Sequence, residues 1–506
     1  MDKKEQFEIP DIVAKVAATL EKAGFEAYLI GGCVRDLLIG RKPKDWDITT
    51  NAVPEEIVPL FDKTFYENEY GTVGVVTESA EESKDVSDET LKVIEITPYR
   101  KESEYSDNRR PDSVTFSKNL EDDLSRRDFT INAIALKIVK KEKEGLYKGQ
   151  LTDIYKGQTD IDAKIIRAVG SADERFKEDA LRTLRAVRLA SELDFEIEEN
   201  TEKAIQSDGY LLKNISMERI RDEFARIIDS DSPMRGLQIA HKLGILQYIL
   251  PEIEAGIDVG QNKAHSFDVW EHSLRTLQHS AKKKFSQETR LAALFHDIGK
   301  PKTKRWSPEK KEWTFYGHDV VGSRVTEKAL RRLKFPVKTI EKVSKLVRWH
   351  MFFSDTEQIS LSAVRRLLAK VGKENVWDLM DVRVCDRIGT GRPKEEPYRL
   401  RKYQSMIEEV MRDPVTVGML KINGSKIIDV TQETPGPRIG FILHALLEEV
   451  LEKPSLNTDE YMENRAKELS KLSDGDLKEL GEKGKEKKEG EESKEIEEIR
   501  RKYWVK

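Results

Sequence analysis

Cysteine is scarce in this chain: Cys33 and Cys385 are the only two in 506 residues, far apart and in no C-x-x-C pair. Neither a disulfide framework nor a zinc ribbon is supported. Long hydrophobic runs are missing as well, since no stretch approaches the length of a membrane span. The opening residues MDKKEQFEIPDIVAKVAATL lack the apolar core of a signal peptide, which points to a reducing cytoplasm and to no membrane association. Charge of one sign is lacking too. Charged residues make up 36% of the chain, yet the net charge is only −5, so a soluble protein with mixed-sign surfaces is predicted. Any nucleic-acid footprint must then be a local patch. The length argues for three or more domains rather than one core.

What is present is concentrated first in residues 29–51, LIGGCVRDLLIGRKPKDWDITTN. Leu29 and Ile30 suit the end of a buried strand, and Gly31-Gly32 allows a sharp turn and a close approach of backbone to a ligand. Arg35 and Asp36 follow where a helix would start, so backbone donors and a guanidinium could face an anion such as phosphate. Strand alternation puts Asp45 and Asp47 on one face, with Trp46 and Ile48 packed beneath. Two carboxylates side by side repel each other strongly at an intermediate dielectric, so a pair of this kind usually holds a cation. Oxygen ligands favour Mg²⁺.

This block resembles the nucleotidyltransferase signature of the polymerase-beta-like superfamily, in the form used by tRNA CCA-adding enzymes and bacterial poly(A) polymerases. The resemblance implies a two-metal site with Asp45 and Asp47 on Mg²⁺ and with Gly31, Gly32 and Arg35 handling the triphosphate. The metals would lower the pKa of an RNA 3′-hydroxyl and stabilise the charge on phosphate and leaving pyrophosphate.

The rest of the first half follows the same order. Residues 9–24 read as a helix stopped by Gly24, and residues 27–30 as a strand. A short helix at 54–61 and a strand at 71–77 come next, then an acidic stretch at 78–90 that reads as an exposed hairpin insertion. The strand at 91–100 puts Val93, Glu95 and Thr97 on one face, and the resemblance makes Glu95 the third carboxylate. Residues 99–116 are basic and turn-rich, with a bend fixed by Pro111. In the resembled family a loop here is needed for adding the terminal A. In residues 124–136, LSRRDFTINAIAL, the polar Arg126, Arg127 and Asp128 stand at the mouth of an apolar helix. The match to the family's R-R-D-F-T-x-N-A motif implies Arg127 as a nucleotide ligand. Asp153 and Gly157 form a D-x-x-x-x-G turn, which the family uses as the hinge between head and neck.

Residues 173–190, DERFKEDALRTLRAVRLA, place Asp179, Arg182, Arg185 and Arg188 every third residue, a slowly drifting stripe on one helix side. Leu181, Leu184, Val187 and Leu189 take the other side. An aspartate accepts from an exocyclic amino group and an arginine donates to ring acceptors, so one Asp-Arg pair can select cytosine and adenine over uracil and guanine. The stripe resembles the E-D-x-x-R motif of class II CCA-adding enzymes, complete as Glu178, Asp179 and Arg182. That resemblance implies Arg185 and Arg188 as further nucleotide contacts. Residues 215–253 are helical with Ser216 as N-cap, and Glu218, Arg219 and Arg221 fall where the resembled enzymes brace the nucleotide-reading helix.

Beyond residue 255 the chemistry changes. FDVWEHSL carries His272, LAALFHDIGKP carries His296, Asp297 and Lys300, YGHDVVGS carries His318, VRWHMFF carries His350 and RVCDRIG carries Asp386. Imidazole with carboxylate is a ligand set for Mn, Fe, Ni, Co or Zn. The ordered set resembles the HD phosphohydrolase domain, which implies His272, His296, Asp297 and Asp386 as metal ligands and Lys300 near the phosphate. His318 and His350 fit the HD domains that hold a second metal. The implied reaction is metal-hydroxide attack on a phosphoester at an RNA end.

The expected architecture is therefore multidomain: an α/β (α+β) polymerase-beta-like head at 1–150, an all-α neck at 151–255, an HD body at 256–395 and a tRNA-binding helical module at 396–469. Residues 470–506, rich in Lys, Glu and Gly, read as a charged, solvated extension, partly helical or disordered. The expected activity is untemplated addition of CCA to the tRNA 3′ end from CTP and ATP. No protein partner is evident. An A-adding enzyme or poly(A) polymerase fits the same motifs, and an HD phosphohydrolase with an RNA-positioning head is a further reading. An RNA-binding factor with inactive sites would not need intact carboxylates and histidines.

Overall fold

A computed structural model describes residues 6–66, 71–77, 91–102, 114–261, 266–352 and 359–480. The acidic stretch 78–90, the centre of the 99–116 loop with Pro111, and residues 481–506 lie outside the described residues. The chain forms two compact units, Met1–Pro251 and Glu252–Lys506.

The first unit is built on a mixed sheet. Its described strands are β1 (Gln6–Glu8), β2 (Ala27–Ile30), β3 (Asp47–Thr50), β4 (Thr64–Tyr66), β5 (Val73–Val76) and β6 (Val93–Pro98). β7 (Arg100–Glu102) and β8 (Val114–Phe116) pair as a separate ribbon, and β9 (Ala135–Lys143) and β10 (Leu146–Thr152) return to the sheet. The order is β1-β10-β9-β2-β3-β6-β5-β4. Within it β3 and β6 run parallel, with Asp47 opposite Glu95 and Ile48 opposite Ile96, whereas the other pairs are antiparallel. Ile48, Thr49 and Thr50 are buried, which makes β3 a central strand covered on both faces.

Asp11–Lys22 buries Val13, Val16, Ala17 and Leu20 at helical spacing, and Gly24 ends the turn with φ +89°. β3 starts at Asp47, so Asp45 lies in the bend just before the strand rather than on it, while Trp46 and Ile48 are buried as their spacing requires. β4 was not legible in the pattern, because three residues give no alternation to count.

Two helix expectations are corrected. Arg126, Arg127 and Asp128 do not open an apolar helix; they follow the short helix Leu120–Ser125. The apolar residues after them form a 3₁₀ turn at Thr130–Asn132 and then enter β9. Ile131, Ala133, Ile134 and Ala135 are buried on all sides, and such a run has no periodicity that distinguishes helix from strand. The stretch 173–190 is likewise two helices, Ala172–Glu178 and Leu181–Leu193. Asp179 sits in the break with extended φ −139° and ψ 102°, and its carboxylate accepts the Leu181 N–H at 3.1 Å, starting the second helix. The Asp153 turn behaves as a cap too, accepting the Gly157 and Gln158 N–H groups at 2.7 and 2.9 Å before a helix at Gly157–Ala163.

The second unit is helical. Val269–Lys282, Gln287–Phe295, His318–Arg332, Val337–Trp349 and Val376–Gly389 enclose the histidine motifs. Asp268 and Ser286 cap the first two by accepting the Glu271 and Thr289 N–H groups. Leu291–Phe295 is buried on every side, as an interior helix must be. Leu361–Val371 lies between Val337–Trp349 and Val376–Gly389 in the chain, and Tyr398–Val410, Gly424–Thr431, Pro437–Glu452 and Asp459–Leu469 follow. Within the stretch read as a solvated extension, residues 474–480 are helical and Leu477 is buried. Among the described residues no helix is long and apolar enough to cross a membrane. Cys33 and Cys385 are both buried thiols.

Candidate functional site

In the first unit, the turn after β2 brings backbone next to chemistry. Gly31 has φ +77°, and a Cβ there would stand 3.1 Å from Arg127 Nη1 and 3.5 Å from Asp47 Oδ2. Only glycine leaves that space open. The next helix, Gly32–Leu38, carries Arg35, which is buried and fastened: Nη1 donates to Asn132 Oδ1 at 2.8 Å, and Nε and Nη2 donate to Asp36 Oδ1 at 2.9 and 2.7 Å. Arg127 donates to the fully buried Asp123 at 3.1 Å. Burial would raise the Asp123 carboxyl, but Arg126 and Arg127 outweigh it and hold it below the ordinary range.

A cleft of about 610 Å³ opens here, lined by Gly32, Arg35, Asp45, Asp47, Arg185 and Arg188 among others. Asp45 is exposed and Asp47 half-buried. Glu95 is the direct register neighbour of Asp47 across β3 and β6. The structure thus brings three of the expected carboxylates to one end of the β3–β6 pair and three of the expected arginines, Arg35, Arg185 and Arg188, to the cleft. Arg41, Lys42, Lys44, Asn132, Glu192 and Arg226 also line it and were not singled out from sequence. For three of them the signal was the basic run GRKPK immediately before the D-x-D pair.

The arginine stripe is engaged in ion pairs throughout. Arg185 donates to Asp128 Oδ2 from Nε at 2.9 Å and Nη2 at 2.6 Å. Burial opposes ionisation of Asp128, and the Arg185 guanidinium, helped by Arg182, pulls it well below the usual carboxylate range. Arg188 lies between Glu223, at 2.5 Å, and Glu192, at 2.7 Å. Arg182 reaches Glu178 at 2.6 Å and the Arg126 carbonyl at 2.9 Å. Asp179, in its break, is gripped by Arg219 at 3.2 and 2.7 Å. Asp179 and Arg182 therefore stand together beside the helix start, each braced by its own partner.

In the second unit, six motif residues meet in one buried cluster. His272, His296 and Asp386 form one group, and Asp297, His318 and His350 form another; in each, the candidate ligand atoms lie within 4.8 Å of one another. His272 Nε2 is 3.2 Å from Asp297 Oδ2 and 3.3 Å from Asp386 Oδ1, and His296 Nε2 is 3.2 Å from Asp297 Oδ2. The other oxygen of Asp297 faces His318 Nε2 at 3.4 Å and His350 Nε2 at 3.8 Å. Asp297 thus spans the two groups. Lys300 Nζ is 2.6 Å from the same Asp297 Oδ2.

Local folding aims the imidazoles. Nδ1 of His296, His318 and His350 donates to the carbonyls of Ala293, Phe315 and Val347 at 2.8, 2.7 and 2.7 Å, which turns each Nε2 to the centre. Gly299 makes the assembly possible, because a Cβ there would be 2.1 Å from the His318 carbonyl. The donor set fits a cation. Burial would lower the His272 imidazole, yet Asp297 and Asp386 push it up to about 9, so the pocket favours positive charge at that point.

A family profile described as the poly A polymerase head domain matches residues 27–167. A second, for the probable RNA and SrmB-binding site of polymerase A, matches 194–257, and a third, the HD domain, matches 265–390. A CCA-adding enzyme of Lactobacillus helveticus is 48% identical over 223 residues, 43% of this chain. There the chain spans about half the length of the relative, 51%. A CCA-adding enzyme of Geobacillus thermodenitrificans is 32% identical over 84% of this chain and 89% of its own length. Among solved structures, the Bacillus stearothermophilus CCA-adding enzyme in complex with CTP matches with a TM-score of 0.67 and 28% identity, covering 91% of this chain and 97% of that one.

Proposed function

Since the chain belongs to the CCA-adding enzyme family, we propose that it builds the CCA end of tRNA from CTP and ATP, without a nucleic-acid template and with release of pyrophosphate. The observation that carries this reading is the single cleft shared by Asp45, Asp47, Arg35, Arg185 and Arg188. Both domain types imply dependence on divalent metals. Asp45, Asp47 and Glu95 are the residues that would hold Mg²⁺ in the head. Magnesium bound there supplies Lewis acidity, lowering the pKa of the RNA 3′-hydroxyl and neutralising charge on the leaving pyrophosphate.

The chain's own residues do the rest. Gly31 and Gly32 leave room for the triphosphate beside Arg127, and Arg35, pinned by Asn132 and Asp36, presents a fixed positive charge. Asp179 accepts from the exocyclic amino group of C or A, while Arg182 donates to the adjoining ring nitrogen. Arg219 and the Leu181 N–H fix the Asp179 rotamer, both of them on Oδ1, and Oδ2, which takes one bond from Arg219, keeps a second lone pair for the base. Arg185 and Arg188 extend this polar wall, their rotamers held by Asp128, Glu223 and Glu192. We assign the head to 1–150, the neck to 151–255, the HD body to 256–395, the tRNA-binding module to 396–469 and a charged extension to 470–506, in a cytoplasmic protein.

For the HD body we propose hydrolysis of a phosphoester at an RNA end. His272, His296, Asp297 and Asp386 would hold a transition metal such as Mn, Ni, Co or Fe, which would supply Lewis acidity for the hydrolysis. Lys300, beside Asp297, offers positive charge to the phosphate.

The test is incubation with tRNA ending in no C, one C or CC, each with CTP or ATP alone. CTP must extend the first two and ATP must extend only the CC end. Addition of A to the CC end without any addition of C would make the chain an A-adding enzyme.

A further inference from the structure

Between Lys300 and His318 the chain does something the metal cluster does not require. Residues 300–316, KPKTKRWSPEKKEWTFY, carry six basic against two acidic side chains, interleaved with four aromatics. After the short helix Lys300–Thr303 they form a β-hairpin, Arg305–Ser307 against Glu312–Thr314, with Trp306 opposite Trp313. The two indoles touch edge-on at 5.3 Å and 74°. A cross-strand aromatic pair stabilises a hairpin, which accounts for that contact. It does not account for the outer faces: Trp306 is 53% exposed, Trp313 39% and Tyr316 62%. Cations accompany these rings. Lys304 Nζ stands 4.6 Å over the Trp313 ring, and Lys310 donates to the Tyr316 hydroxyl at 2.7 Å.

The hairpin is joined to the cluster at both ends. It follows the short helix Lys300–Thr303, whose first residue, Lys300, has its Nζ 2.6 Å from Asp297. It returns through Phe315, whose carbonyl accepts from His318 Nδ1 at 2.7 Å. Exposed rings interleaved with lysine and arginine are the pattern by which proteins hold unpaired nucleotides, since every base has a face to stack and every link a phosphate to pair.

We propose that this hairpin is a stacking platform for the unpaired bases of an RNA 3′ end whose terminal phosphate lies at the six-residue cluster. The proposal rests on the phosphoesterase reading of the HD body and adds to it the surface that holds the unpaired bases of that RNA end. Trp306 and Trp313 take the bases, Lys304, Arg305 and Lys310 take the backbone, and the short connection to His318 sets the reach.

The experiment uses the full chain with Mn²⁺, a fluorescein-labelled single-stranded oligoribonucleotide ending in a 3′-phosphate, and 4-nitrophenyl phosphate as a small ester. Trp306→Ala and Trp313→Ala should each raise KM for the oligonucleotide roughly tenfold and leave turnover of the small ester unchanged, with Trp306→Tyr close to the parent. Binding of the same oligonucleotide, read by anisotropy, should weaken by the same factor. If neither ester is hydrolysed by the parent chain, the phosphoesterase reading fails, and anisotropy alone still judges the platform. Unchanged RNA affinity in both alanine variants overturns the proposal. So does unchanged affinity accompanied by a shift in mass by light scattering, which would make the face a self-association surface.

Discussion

Arg219 holds both oxygens of Asp179, with Nη1 3.2 Å from Oδ1 and Nη2 2.7 Å from Oδ2. Asp179 lies in the break between two helices and Arg219 comes from a third, so the Asp179 rotamer is set by Arg219 together with the Leu181 N–H. If Asp179 reads the base, Arg219 is a positioning residue. Arg219→Ala should lower the preference for CTP over UTP about tenfold while KM for tRNA changes little. Competition between the two nucleotides on tRNA ending in one C measures this, and Arg219→Lys, which lacks the planar fork, should recover only part of it.

Asp45 is exposed and Asp47 half-buried, so their replacement by Asn leaves the core untouched. Nucleotide addition should fall by about 10³-fold or more in either variant, the scale of losing a metal's contribution of several kcal/mol. Thermal midpoints should stay within a degree or two. Glu95→Gln should lower kcat with KM for CTP unchanged.

Removing one member of the Asp128–Arg185 pair leaves a charge without its partner. Asp128→Asn should cost about 1–3 kcal/mol in urea unfolding, less than a fully buried pair because Arg185 is about one-third exposed. The pH sense follows from the depressed carboxyl. Its stabilisation is complete above the unfolded value of 3.8 and is lost as pH falls further, so the variant's deficit should shrink in acid below pH 4.

His296→Ala should abolish phosphate release from RNA ends and leave CCA addition intact. For the unsubstituted chain, Mn²⁺ at a hundredfold excess over its Kd should stabilise the fold by about 2.7 kcal/mol, and a chelator should reverse this. Thermal midpoints with and without chelator are the measurement.

Asp381 behaves oppositely to Asp128. Burial, then Asp378 and Glu396, push its carboxyl up to about 6. The folded state therefore takes up a proton, and Asp381 favours folding only while protonated. Asp381→Asn should exceed the parent in urea midpoint at pH 7.5, with the gap closing as pH falls from 6 to 4. Half-exposure keeps the gap small.

The parts of the site legible in the sequence were those encoded locally. Gly31-Gly32, the D-x-D pair and the R-R-D run each put their residue types within a few positions, but only the Gly-Gly turn shows its presentation locally: Asp45 lies before β3 and the R-R-D run follows a short helix instead of opening one. The stripe Asp179, Arg182, Arg185, Arg188 was legible as spacing but not as environment. Three-residue spacing runs unbroken through a helix break, and the partners Asp128, Arg219 and Glu223 come from elsewhere in the chain. The HD motifs announced the ligand types. That Asp297 would lie between two groups of imidazoles depended on how four helices pack, which no spacing records. The run after Asp128 misled because residues buried on all sides lose their period.

The two buried thiols have a practical consequence. Burial, then the Asp47 charge, pushes the Cys33 thiol up to about 12, and burial with Asp381 raises Cys385 as well. Thiolate is the reactive form, so both should be silent towards maleimides and disulfide reagents at neutral pH in the folded chain. A cysteine introduced at an exposed position such as Trp306 would then be the sole labelling site without removal of either native one, and the appearance of extra reactive thiols would report unfolding of the catalytic head or the HD body.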